Sequence, residues 1–460
     1  MSVELREKTL LTTGGAALDI SDAEAGTLFS QALVQACAEA AAASKPDSIS
    51  SVLLIPPDIT RFHSRAGLLT AIACRELTRA GIAVTVLPAL GTHVPLAAAE
   101  CERMFPGVPQ PLFRVHDWRN DVVELGRIER EWIEKTTQGA VHYDWPVQVN
   151  KLLLRRGDGG NFDLIVSMGQ VVPHEVIGMA NHAKNLFVGT GGKEAIDKSH
   201  FAGAAYGMEK MMGRADTPVR AMFDEGLRRY SGKLPPVLYA LTVLSARGPA
   251  EAEAAGKAAG SLALRGLFCG FGRDCFTRAA ALAREVNVDL LNELVQKAVV
   301  YLDPDEFRTT WLGNKAIYRT RMAMADGGEL LIIAPGLERF GEDMGIDALI
   351  RKHGYRPAAH IHEKVNTDPE LANSLSAAAH LIHGSSEGRF TVRYCPGPGL
   401  SRQEIEAVGF EWGSIGEAMA RYDINALAMG WNTHADGERF FFVPNPALGL
   451  WATNSTFCKK

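Results

Sequence analysis

Three histidines and three lysines share residues 171–201: His174, His182, His200, Lys184, Lys193 and Lys198. Imidazole changes charge near neutral pH and, when neutral, ligates metals. Lys184 precedes Leu186, Phe187 and Val188, and an amine desolvated by apolar neighbours has a lowered pKa and is disposed to covalent chemistry. The turn Pro57-Asp58-Ile59-Thr60-Arg61 sets a carboxylate beside a guanidinium, a planar fork suited to a carboxylate or phosphate. Gly91-Thr92-His93 contributes a further imidazole. His93 and His174 together can take a proton on one side and give one on the other. Taken singly, each residue has a plainer reading: a loop histidine, a snorkelling lysine, a turn-capping acid.

Where these residues fall relative to strands makes the case for a site. Apolar runs without alternation occur at 52–57, 83–88, 164–168, 237–243, 298–302 and 330–335, the pattern of strands covered on both faces. Between them lie helical patterns. In 66–81, Leu69, Ile72, Ala73 and Leu77 share one face and Gly81 serves as the stop. Strand–helix–strand repeats predict an α/β fold with largely parallel sheets. In such sheets ligands sit beyond the carboxyl ends of strands. Asp58 and Arg61 follow the first run, His93 the second and His174 the third, so one sheet edge should receive them all. A second α/β set is expected from about residue 295, after a helical stretch over 275–298, with a helix through 312–325. The expected domains are 1–290 and 291–424, with the tail 425–460 packing back on the first.

Composition narrows the function classes. At 460 residues a single core is improbable. A net charge of −5 argues against nucleic acid or an anionic membrane as partner, and no apolar run approaches the ~20 residues of a membrane helix. The first residues lack a secretory signal, so a cytoplasmic protein is expected. Seven scattered cysteines without a CxxC pair read as reduced thiols, leaving any metal to histidine. Three lesser motifs are set aside. Gly189-Thr190-Gly191-Gly192-Lys193 lacks phosphate-loop spacing and at most forms a backbone nest. His360 and His362 read as two imidazoles on one strand face without a third ligand. Residues 266–272 resemble part of a dinucleotide loop but lack its spacing and a strand-to-helix setting.

Taken in order, the motifs resemble the nickel-dependent lactate racemase family of 2-hydroxyacid racemases and epimerases. The resemblance rests on Pro57-Asp58-Ile59-Thr60-Arg61, on Gly91-Thr92-His93, and on Pro173-His174, Lys184, Gly189 and His200 at matching spacing. Trp311-Leu312-Gly313-Asn314-Lys315-Ala316, followed by the Gly-Gly strand 326–336, looks like its fourth motif. It implies a two-domain α/β enzyme with an interdomain active-site cleft. It further implies a nickel-pincer nucleotide held by Lys184 through a thioamide, with His200 completing the nickel coordination and Asp58 and Thr60 contacting the nucleotide. His93 and His174 would exchange the hydroxyl proton while the C2 hydride moves, and Arg61, Lys315 and Trp311 would hold the substrate. The implied partners are a small hydroxyacid and the cofactor-synthesis enzymes. Two departures stand out: Asn181-His182 replaces a glycine pair, and Leu312 replaces a glutamine. They point to a 2-hydroxyacid larger than lactate, with a sugar acid (an aldonate) favoured. The alternatives are a cofactor-free sugar-acid or anion-binding protein, and a nicotinamide-dependent oxidoreductase, which the missing GxGxxG weakens.

Overall fold

The computed structural model describes residues 7–43, 48–258, 260–447 and 449–457. It has two compact units, Met1–Ser199 with Gly213–Asn287, and His200–Met212 with Val288–Lys460. Both are α/β.

The first unit is built on a six-stranded sheet of β1 (Thr9–Gly14), β2 (Ser51–Ile55), β3 (Ala83–Val86), β6 (Leu164–Gln170), β9 (Val237–Ala246) and β10 (Leu262–Gly270). Two antiparallel ribbons interrupt this series, β4 (Val122–Ile128) with β5 (Trp145–Asn150), and β7 (Pro173–His174) with β8 (Gly178–Met179). The sheet order is β1-β10-β9-β6-β2-β3. β3, β2, β6 and β9 run parallel, and β10 is antiparallel to β9 and β1. Helix Ala66–Arg79 forms as its periodicity predicts. Leu69, Ile72, Ala73 and Leu77 are all buried, against Val52, Leu54, Val86 and Val166 of the sheet. Its end is closed by Gly81 at φ 74° and by the bond from Ile82 N–H to Leu77 O at 2.9 Å, a Schellman geometry that only glycine enters freely.

The second unit carries β12 (Val295–Tyr301), β13 (Met324–Ala334), β14 (Thr391–Pro396), β15 (Glu411–Trp412), β16 (Gly430–Thr433) and β17 (Arg439–Val443), in the order β15-β14-β13-β12-β17-β16. Only β16 is antiparallel to its neighbour. β11 (Val288–Leu291) pairs in parallel with β18 (Leu450–Thr453).

Several expectations need correction. The helix expected over 275–298 ends at Asn287, whose buried amide donates to Leu244 O at 2.9 Å, and two strands follow. The helix expected through 312–325 is two short ones, Thr310–Gly313 and Lys315–Thr320, and β13 begins at Met324. The closing segment, expected on the first domain, gives β16 and β17 to the second unit's sheet. His360 and His362 lie on helix Ala358–Thr367, where residues two apart diverge, and His362 sits edge-on to Phe201. Residues 266–272 do run from a strand into helix Arg273–Asn287, but β10 is antiparallel to β9 and so ends at the opposite sheet edge from β2, β3 and β6. Among the described residues six cysteines are free; Cys458 lies outside them. No described helix is long and apolar enough to cross a membrane.

Candidate active site

Pairing between β2 and β3 continues past the strands. Leu87 N–H donates to Leu54 O at 2.8 Å and Ala89 N–H to Pro56 O at 2.7 Å. The two chains therefore leave the sheet together, and Asp58 and His93 arrive side by side. Asp58 Oδ2 lies 2.6 Å from His93 Nδ1, and its Oδ1 accepts from Thr60 N–H at 3.2 Å and from Thr60 Oγ1 at 2.5 Å. Burial works to raise the Asp58 pKa, but His93, Thr60 and the charge of Arg61 outweigh it, and the carboxyl is held below its ordinary value. An ionised carboxylate only accepts, so His93 Nδ1 carries a hydrogen towards Asp58.

The His93 loop is fixed against the Lys184 segment. Gly91, at φ 58°, donates its N–H to Gly189 O at 2.8 Å. A Cβ at Gly189 would meet the Ala89 methyl at 2.5 Å, so glycine is required by the close approach.

β6 delivers the other imidazole. His174, buried in the β7–β8 ribbon, accepts the Val176 N–H on Nδ1 at 3.2 Å. Glu175 Oε2 also approaches Nδ1, but at 3.7 Å it is beyond hydrogen-bond length. The amide therefore claims the Nδ1 lone pair, which leaves the ring hydrogen to Nε2. When both rings are neutral, these contacts favour opposite tautomers, with the hydrogen on Nδ1 in His93 and on Nε2 in His174.

Asn181 and His182 form a left-handed corner, with φ of 70° and 58°. Non-glycine residues adopt this conformation at a cost of order 1 kcal/mol each. Asn181 Oδ1 accepts the next amide at 2.7 Å, and the His182 ring packs 3.9 Å from Tyr239 and 5.3 Å from Phe276, centroid to centroid. Burial first, then the charges of Arg220 and Arg273, hold the His182 pKa well below the usual imidazole value. His182 is a neutral core residue. Arg220, fully buried over the Phe276 ring, donates to Met179 O at 2.6 Å and Asn181 O at 3.2 Å, pinning the corner from beneath.

Lys184 leads directly into a π-helical turn, Asn185–Gly189, an uncommon wide turn that recurs at functional sites. The residue as a whole is half-buried and its amine is enclosed. Burial, followed by the nearby positive charge of Arg61, pushes its pKa down to about 8, against the opposing pull of Glu175 and Asp58. Beyond the turn, His116 Nε2 donates to Gly191 O at 3.0 Å while its Nδ1 accepts from Asn150 at 2.9 Å. The glycine pair is packed and forms no open nest: a Cβ at Gly192 would meet Gln148 Oε1 at 2.4 Å, and that oxygen accepts Ala195 N–H.

The structure thus gathers Asp58, Thr60, Arg61, His93 and Lys184, with His174 joined through Glu175. Of the remaining cations in 171–201, Lys193 pairs with Asp197, and Lys198 reaches Glu194 at 2.7 Å and Asp144 O at 2.8 Å. His200 lies partly exposed on helix Lys193–Tyr206, in the segment belonging to the second unit. Trp311 and Lys315 also belong to that unit. Trp311 stacks on His380 at 4.5 Å; His380 bonds Tyr355 Oη at 2.9 Å, which bonds Thr310 Oγ1 at 2.7 Å. The Lys315 ammonium lies 5.5 Å from the Phe307 ring. Sequence reasoning passed over Glu175, although it stands beside His174, and Arg220, which no local pattern marks. Among the described residues no group of three or more His, Cys, Asp or Glu side chains could hold a metal ion.

Residues 1–212 match the family model of the lactate racemase N-terminal domain. None of the curated proteins matches the chain. Among solved structures, a Thermotoga maritima protein superposes with a TM-score of 0.77 at 20% identity, over 96% of this chain and 100% of its own. The lactate racemase apoprotein of Thermoanaerobacterium thermosaccharolyticum superposes at 0.65 with 14% identity, over 98% of this chain and 96% of its own. At these identities the superpositions speak for a shared fold. The family match thus covers residues 1–212, which are similar to the lactate racemase N-terminal domain.

Proposed function

We propose that the protein is an isomerase that inverts C2 of a 2-hydroxyacid by proton-coupled hydride transfer, using a nickel-pincer nucleotide. The observation that carries this reading is the Asp58–His93 pair, with Arg61 and Glu175 near a lysine amine of lowered pKa and His174 next in sequence to Glu175.

The residues suit the cofactor. A thioamide tether needs an amine that readily gives up its proton, and the lowered pKa of Lys184 suits it. A bare metal ion finds no ready cage among the described side chains, so nickel would depend on donors brought by the nucleotide plus one imidazole, which we assign to His200. Asp58 and Thr60 would stand on the nucleotide's side of the site. When bound, the group supplies an acceptor and donor for hydride.

The protein's own part is proton handling and orientation. His93, its Nδ1–H fixed by Asp58, takes the 2-hydroxyl proton on Nε2. His174 gives a proton from Nε2 once its ring also carries one on Nδ1, where Glu175 stands nearby. For the opposite enantiomer the roles exchange: His174 takes the hydroxyl proton and the protonated His93 gives one back. Arg61, Lys315 and Trp311 would hold the carboxylate and neighbouring oxygens of the substrate.

We assign a substrate larger than lactate, with an aldonate favoured. Leu312 in place of glutamine supports this, whereas Asn181 and His182 lend no support because both are packed in the core. The test is nickel content, intact mass and C2 inversion in deuterated water, on protein made alongside the cofactor-synthesis enzymes. Expected are nickel, added mass on Lys184, and little solvent deuterium at C2. Normal epimerisation by Lys184→Ala would refute the mechanism.

A further inference from the structure

The Lys184 amine has a chemistry of its own, apart from any cofactor. Three parallel strands, β2, β3 and β6, end at one sheet edge and place the Asp58–His93 pair, Arg61 and the 171–184 segment there. The left-handed corner and the π-turn hold the lysine backbone on both sides, and Arg220 ties the corner to the core through Met179 O and Asn181 O. A buried amine on a fixed backbone, close to a guanidinium and to an acid–base pair, is the equipment of an imine-forming lysine.

We propose that, in the chain carrying no tethered group, Lys184 condenses with a small 2-oxo acid to form an imine, with Arg61 holding the carboxylate. The amine lone pair attacks the keto carbon, and the carbonyl oxygen takes up a proton to give a carbinolamine. The C–O bond then breaks, the oxygen leaving as water after a second protonation by the His93 imidazolium. The nitrogen lone pair closes the C=N bond, and the protons lost from nitrogen return to the acid–base pair and solvent. No electrons are gained or lost overall. The substrate class follows from the charges: a cation beside the amine favours a carbonyl compound that also bears a carboxylate. The lowered pKa supplies the reactive form, because at pH 7.5 a value of about 8 leaves about a quarter of the amine unprotonated, against about one part in a thousand for an ordinary lysine. The proposal does not rest on the nickel reading; tethering and imine formation would compete for one nitrogen.

The test uses the full chain produced without the cofactor-synthesis enzymes, treated with pyruvate and sodium cyanoborohydride, followed by peptide mass mapping. The expected result is one carboxyethyl group per chain on the Lys184 peptide, formed at least tenfold faster than on any other lysine, with a half-rise near pH 8. Arg61→Met should lower the ratio of pyruvate to acetone labelling about tenfold, a readout unaffected by a general change in amine reactivity. Labelling of Lys184 no faster than of surface lysines would overturn the proposal, as would an unchanged ratio in Arg61→Met. A chain that loads nickel normally yet ignores pyruvate would reject the imine and leave the cofactor reading standing.

Discussion

His93 and Asp58 are joined through Nδ1 and Oδ2 at 2.6 Å, and that bond decides which nitrogen of the ring is basic. Asp58→Asn keeps the size but offers an amide that can donate to Nδ1, moving the ring hydrogen to Nε2. The variant should lose about 10²–10⁴ in kcat for C2 inversion. A kcat near the parent value would remove the dyad from the relay.

The same carboxylate gives an acid-stability signature. Its folded pKa lies below the ordinary carboxyl value, so its stabilisation is present above that value and fades as pH falls through the folded one. Urea titrations from pH 6 to 3 should show the parent losing more stability than Asp58→Asn below pH ~4. Parallel curves would mean that the pairing contributes nothing to the fold.

Lys184 acts at the other end of the scale. Its pKa of about 8 means that between there and about 10.5 the unfolded chain binds more protons than the folded one, so stability contributed by this site rises with pH. Lys184→Met should be the more stable protein at pH 7, by up to about 3 kcal/mol, and the advantage should shrink toward pH 10. A constant difference across that range would place the amine in ordinary solvent.

Asn181 and His182 should respond differently to glycine although both have left-handed backbone. Asn181→Gly relieves strain and should be neutral or stabilising by up to about 1 kcal/mol. His182→Gly also removes a ring packed against Tyr239 and Phe276, and should cost about 2–4 kcal/mol. Denaturation midpoints decide the matter; equal effects would refute the structural role given to the imidazole.

Gly189→Ala tests the loop contact. Its methyl would overlap Ala89, so the loop carrying His93 has to shift. A loss of about 1–3 kcal/mol is expected, together with slower turnover in the loaded protein. An unchanged melting temperature would show that the approach is looser than described.

Much of this was legible in the sequence where periodicity and strand ends act locally. Leu69, Ile72, Ala73 and Leu77 announced a helix face, and the polar residues after three apolar runs announced a shared edge. Expectations failed where tertiary bonds override local pattern. Asn287 ends a helix by reaching Leu244, and the helical pattern at 312–325 breaks in two beside Asn314, whose side chain accepts from Tyr394. His360 and His362 misled because a two-residue spacing has a shared face only in a strand. Asn181 and His182 looked like new contacts to substrate, since a sequence shows a side chain but not the sign of φ that turns it inward.

The turn after Lys184 holds one more residue per hydrogen-bonded ring than an α-helix. Deleting any single residue from 185–189 would let the segment tighten into ordinary helix and still pack apolar side chains. The lysine ahead of it would then swing by ~100° about the axis and face the core. The extra residue acts as a fixed angular offset, so the length of this short segment, as much as its composition, determines where the amine points.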